Sequence, residues 1–111
     1  MLVDRFADGD PANDKPLANV EMQANFQGGD FVGLMQKIND GWFDQLGVRA
    51  IWITAPNLQP DISGLGTDGR QYAGYHGYWL ASPDQTDPRF GTMQELRALG
   101  DTAHAHGIRL L

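Results

Sequence analysis

With 111 residues, 41% hydrophobic and 20% charged, the chain is about one small globular domain, and this composition argues against disorder. A net charge of −6 argues against a nucleic-acid partner, which needs a basic surface. The absence of cysteine excludes a disulfide framework, and no apolar run reaches the roughly 18 residues of a membrane helix.

Met1-Leu2-Val3 is followed at once by Asp4 and Arg5, so these first residues hold no signal-peptide hydrophobic core. Leu2 to Phe6 is expected to form a short strand. Ala7 to Asp30 is a long polar loop, of the length that is usually functional or disordered. Phe31, Leu34, Met35, Ile38, Trp42 and Leu46 then recur at spacings of three and four, which predicts a helix. Asp30 stands at its N-cap and Gly47 at its C-terminus, while Gly33 and Gly41 weaken it, leaving its stability to packing.

Val48 to Thr54 is β-branched and aromatic, the pattern of a strand buried on both faces of a parallel sheet. A second long loop, Ala55 to Gly91, follows. Thr92 with Glu95 makes a capping box for another helix, whose apolar stripe is Met93, Leu96, Leu99 and Ala103 and which Gly107 ends. Ile108 to Leu111 opens a third strand. The predicted order is strand, helix, strand, helix, strand, with parallel βαβ units. Both long loops leave the C-terminal ends of strands, as in a (β/α)8 barrel, and no G-x-G-x-x-G follows the first strand.

Two loop segments carry chemistry. Asp8, Asp10, Asn13 and Asp14 place four hard oxygen donors within seven residues, and Asp30 closes the same loop. Such a set suits calcium; the other reading of these residues is a solvated turn with Asx caps, with Asp30 as a plain helix N-cap. An EF-hand is excluded, because counting from Asp8 its sixth and twelfth positions are Asn13 and Asn19. The second segment is Gly74-Tyr75-His76-Gly77-Tyr78-Trp79, where glycines hinge adjacent aromatic rings. These rings can lie flat on a sugar while polar edges meet its hydroxyls, or they can bury against the fold.

Three other features read as structural. His104 and His106 are two apart and share no helical face. Asp4 and Arg5 form an ion pair, and Asp84, Asp87 and Arg89 fix the loop ahead of the capping box. Asp61 to Arg70 is either a flexible lobe or part of a specificity loop.

Taken together, Asp4-Arg5-Phe6-Ala7-Asp8-Gly9-Asp10-Pro11-Ala12-Asn13-Asp14, Tyr75-His76-Gly77-Tyr78-Trp79 and Asp87-Pro88-Arg89-Phe90-Gly91-Thr92 resemble the α-amylase family of glycoside hydrolases (family 13), notably cyclodextrin glucanotransferases and maltogenic amylases. The resemblance implies that residues 1–111 are the N-terminal part of the catalytic barrel, stopping within its third strand. It implies a calcium site on Asp8, Asp10, Asn13, Asp14, the Gly28 carbonyl and Asp30. It also implies a substrate site in which Tyr78 stacks on the sugar whose bond is broken, His76 contacts the same region and Trp79 lies beside the neighbouring sugar. Asp10 and Asp14 stand where asparagines are common in that group, which keeps the oxygen donors and adds charge.

The family takes its catalytic carboxylates from the fourth, fifth and seventh strands, so no catalytic residue is expected here. The implied parent is a secreted or extracellular enzyme that cleaves or transfers α-1,4-glucosidic bonds with retention. It acts on starch or maltooligosaccharides and needs the remainder of the barrel for a closed fold. A non-catalytic α-glucan-binding module, or a truncated gene product, is the alternative.

Overall fold

The structure is a computed structural model describing residues 1–111. A parallel pair carries the fold: β1 (Ala50–Ile51) lies beside the late strand Arg109–Leu110, with Ala50 opposite Arg109 and Ile51 opposite Leu110. Backbone bonds extend this ladder, since the Ile53 amide donates to the Leu111 carbonyl at 2.9 Å and the Thr54 amide to the Met1 carbonyl at 2.9 Å. Met1 thus flanks β1 on its other side.

The expected strand over Leu2 to Phe6 does not form. Val3–Arg5 is a 3-10 turn, because Asp4 and Arg5 turn inward to satisfy backbone groups of residues 23–27 and no strand pairs with them.

The first helix divides in two. α1 (Phe31–Asn39) begins on Asp30, whose carboxylate accepts the Gly33 amide at 2.6 Å. Gly41 then takes φ +75°, open to a residue without Cβ, and α2 (Trp42–Gln45) follows as a separate helix. The expected continuous stripe is broken there. Phe43 is buried, while Trp42 and Leu46 are exposed.

α3 (Met93–Ala105) carries the expected capping box, with the Glu95 amide donating to Thr92 Oγ1 at 3.2 Å and the Thr92 amide to Glu95 Oε2 at 2.7 Å. Gly107 turns the chain at φ +68°. Of the expected stripe, Leu99 and Ala103 are buried and Met93 is exposed at the helix start.

The core is one cluster: Phe31, Leu34 and Ile38 of α1 and Leu99 and Ala103 of α3 pack on Ile51, Ile53 and Ile108. Both helices cover one face of the sheet. Within residues 1–111 nothing packs on the other face, and Trp52, which lies on it, is 75% exposed.

The second long loop is also more ordered than expected. β2 (Asn57–Leu58) pairs antiparallel with residues Ser82–Thr86, and β3 (Gly64–Leu65) with β4 (Gln71–Tyr72). The strands Ser82–Thr86 and Arg109–Leu110 are β5 and β6. Most of Asp61 to Arg70 therefore belongs to a hairpin that runs from Gly64 to Tyr72. Asp68 holds its turn by accepting the Arg70 amide and the Tyr72 hydroxyl at 3.1 and 2.8 Å. No helix is long and apolar enough to cross a membrane.

Candidate functional site

The loop after β4 brings His76, Tyr78 and Trp79 together. The His76 and Tyr78 rings are nearly parallel, 15° apart with centroids at 5.6 Å, and Trp79 meets His76 edge-on at 5.1 Å. Tyr78 is 68% exposed and Trp79 38%, so both offer ring surface to solvent. The Tyr78 amide donates to His76 Nδ1 at 3.0 Å, which requires an unprotonated Nδ1. Burial holds the His76 imidazole below its ordinary pKa, in keeping with that neutral form.

Gly77 makes this turn possible. Its φ is +85°, and a Cβ there would overlap the Ala55 carbonyl oxygen. Beneath the loop, Gln59 accepts the Trp79 amide at 2.7 Å and donates to the Gly77 and Asn57 carbonyls at 3.0 and 2.8 Å. Asp87 is fully buried and takes a two-pronged ion pair from Arg89, with both bonds at 2.8 Å. Asp87 also accepts the Gln59 and Arg89 amides at 2.9 and 3.0 Å.

Arg89 Nη1 reaches Asp61 at 3.1 Å, and its guanidinium lies 3.8 Å over Phe26. The sequence pointed to Asp84, Asp87 and Arg89 as loop-fixing residues; Asp87 and Arg89 fill that role, whereas Asp84 is exposed on β5 and its carboxylate takes no part in an ion pair. It gave no sign of Gln59, a lone amide between Leu58 and Pro60 with no motif around it.

Asp4 and Arg5 form the expected ion pair at 2.8 Å. Arg5 also donates to the Asn25 and Gln23 carbonyls at 2.8 and 2.9 Å and lies 3.9 Å over Tyr75. Burial pushes the Asp4 carboxyl above its ordinary range, against the opposing pull of the Gln27 amide and Arg5. The pair ties residues 23–27 to the base of the aromatic loop. Asn25, also missed from sequence, folds the preceding segment by accepting the Leu17 amide at 2.9 Å and donating to the Leu17 carbonyl at 2.8 Å.

The acidic loop is built around Asp30, 1% exposed. Its Oδ1 accepts the Gly33 and Gly9 amides at 2.6 and 3.1 Å, and its Oδ2 accepts the Asp10 amide and Asn13 Nδ2 at 2.8 and 3.2 Å. Asp14 lies against Gly28, where a Cβ would collide with its carboxylate. Desolvation, then the charges of Asp8, Asp30 and Asp10, raise the Asp14 pKa.

None of the chain's ion pairs involves these four aspartates. Asn13 Oδ1 is buried with no partner. As the side chains stand, no three carboxylate or imidazole groups converge to grip an ion. Asp10 with Asn13, Asp14 with Gly28, and Asp8 line three separate hollows. The donor chemistry nevertheless fits a hard cation: surplus oxygen, uncompensated charge and an orphaned amide oxygen.

His104 and His106 do not act as a pair. His106 Nδ1 lies 3.0 Å from Asp44 of α2 and closes the helix contact there.

The α-amylase catalytic-domain sequence profile matches residues 1–111. A cyclomaltodextrin glucanotransferase of Bacillus sp. (strain 38-2) is 39% identical over 115 residues, spanning 100% of this chain and 16% of that protein. The chain thus spans about a sixth of the length of such relatives.

Among solved structures, the γ-cyclodextrin glucanotransferase of alkalophilic Bacillus clarkii superimposes with a TM-score of 0.86 at 32% identity, over 99% of this chain and 16% of that one. The α-amylase of Geobacillus thermoleovorans, solved with acarbose, gives 0.75 at 30% identity over 100% of this chain and 20% of that one. The sheet and its helices are therefore part of an α/β barrel. With its profile matched from end to end and this fold beneath it, the chain belongs to the α-amylase catalytic-domain family.

Proposed function

We propose that residues 1–111 are the N-terminal part of the catalytic barrel of a retaining α-glucan hydrolase or transglycosylase. In this reading Met1, β1 and β6 lie on successive parallel strands of the barrel, and α1 and α3 are outer helices. The observation that carries the function is the His76–Tyr78–Trp79 cluster, with solvent-facing rings held on a buried hydrogen-bonded base. Tyr78 stacks on a glucose ring, Trp79 borders the neighbouring sugar, and neutral His76 presents its remaining ring nitrogen to a hydroxyl. Acarbose bound to a relative of this fold supports an α-glucan as the ligand. The carboxylates that break and remake the glycosidic bond come from barrel strands beyond these residues.

Asp8, Asp10, Asn13, Asp14, the Gly28 carbonyl and Asp30 would hold calcium, which supplies positive charge where the loop has none of its own. Asp30 orients the loop by capping α1 and gripping the Gly9 and Asp10 amides. A secreted or extracellular location belongs to the same reading.

The test uses the complete protein that carries this chain, with soluble starch and maltohexaose. Bond cleavage or cyclisation is expected, with Tyr78→Ala lowering kcat/KM roughly tenfold or more, the size of a lost stacking contact. Unchanged kinetics in Tyr78→Ala and Trp79→Ala overturn the sugar platform. Maltohexaose binding without any bond cleavage points to a binding module.

A further inference from the structure

Gln59 is 1% exposed, yet its side-chain hydrogen bonds all end on backbone, two of them on the aromatic loop. Those two bracket one residue. Nε2 holds the carbonyl of the Gly77–Tyr78 peptide at 3.0 Å, and Oε1 holds the N–H of the Tyr78–Trp79 peptide at 2.7 Å. The N–H of the first of these peptides is already given to His76 Nδ1. Peptide units are planar, so clamping the planes before and after Tyr78 sets both of its soft dihedrals and the direction of its Cα–Cβ bond.

Gln59 is itself held, since its amide donates to the buried carboxylate of Asp87 at 2.9 Å. The third bond, from Nε2 to the Asn57 carbonyl, fixes the rotamer that faces the loop.

We propose that Gln59 is a positioning residue for sugar binding: it clamps the two peptide planes flanking Tyr78 and so sets the ring that meets the glucan. The inference rests on the reading of Tyr78 as a sugar platform.

Gln59→Met in the complete protein keeps volume and removes all three hydrogen bonds. Hydrogen exchange of the Tyr78 and Trp79 amides, read without glucan, is expected to quicken about tenfold, with α1 and α3 unchanged. kcat/KM for maltohexaose is expected to fall about tenfold. Adding Tyr78→Ala to Gln59→Met then lowers it by less than about twofold beyond Tyr78→Ala alone, because the two act through one ring.

Where Gln59→Met does not fold, Gln59→Glu keeps the acceptor for Trp79 and loses both donors. It is expected to quicken exchange at Tyr78 more than at Trp79. Unchanged exchange, or effects that multiply in full, overturns the positioning role while leaving the platform intact. Unchanged maltohexaose kinetics in Tyr78→Ala alone overturns the platform reading, and the role in sugar binding with it.

Discussion

Asp30 and Asp87 are both buried, and each accepts four hydrogen bonds. Their surroundings differ in one respect. Two of the bonds to Asp87 come from the Arg89 guanidinium, so its charge is cancelled within the protein. Asp30 receives only neutral amides and the start of α1, worth roughly half a positive charge. Asp8, Asp10 and Asp14 add negative charge around it without any cation. The aromatic loop is thus electrostatically complete, whereas the acidic loop lacks a positive charge. Hydrogen-bond count alone would have made the two sites look alike.

The largest effect is expected where the charge is already cancelled. Asp87→Ala leaves the Arg89 guanidinium, 3% exposed, with only the solvent-exposed Asp61 as a charge partner, and leaves the Gln59 backbone N–H unpaired. Breaking a buried pair in this way costs about 3–5 kcal/mol, to be read by urea denaturation of the complete protein. A loss below about 1 kcal/mol, the range of exposed pairs, would remove the distinction drawn between the two aspartates.

Asp30→Asn is expected to cost less, about 1–2 kcal/mol in calcium-free buffer. The new amide turns a donor toward the Asp10 N–H or Asn13 Nδ2, but the repulsion from Asp8, Asp10 and Asp14 is relieved. Calcium titrations of melting temperature sharpen the point, because the same variant should need roughly 10- to 100-fold more calcium for half its effect. Equal calcium response in the wild type and Asp30→Asn would break the assignment.

The smallest effect is a dependence of stability on pH. The Asp14 pKa is raised above 3.8 in the folded protein, so the folded state holds that proton more tightly than the unfolded chain. Its contribution is present below the ordinary carboxylate value and is lost as pH rises through the raised one. Asp4, raised by burial, acts in the same sense. In a chelator, the melting temperature should therefore carry a component that falls as pH rises above about 4. Calcium should cancel the Asp14 part and leave the Asp4 part. Melting curves that coincide with and without calcium at neutral pH would argue that the acidic loop is a solvated turn.

The legible parts of the sequence were those written in local chemistry. Thr92 with Glu95, Asp30 ahead of Phe31, and Gly47 and Gly107 after their helices act within a turn of their own position, and each sits where the pattern placed it. The Asp4–Arg5 pair and the loop-fixing Asp87 and Arg89 were legible for the same reason. Gly41 was visible as a weak point, but the break it causes was not, because a helical stripe reads straight through it.

Tertiary structure decided the rest. Val48 to Thr54 has the composition of a doubly buried strand, but which of its residues meet α1 and α3 depends on where those helices pack: Ile51 and Ile53 join their cluster, and Trp52 lies on the other face. Leu2 to Phe6 has strand-like residues, but strands need partners, and the inward hydrogen bonds of Asp4 and Arg5 prevailed. Gln59 reaches the aromatic loop across about twenty residues of chain. Periodicity and capping report what a residue does to its neighbours in sequence. Burial, cross-loop hydrogen bonds and charge compensation depend on neighbours in space, which only the folded chain supplies.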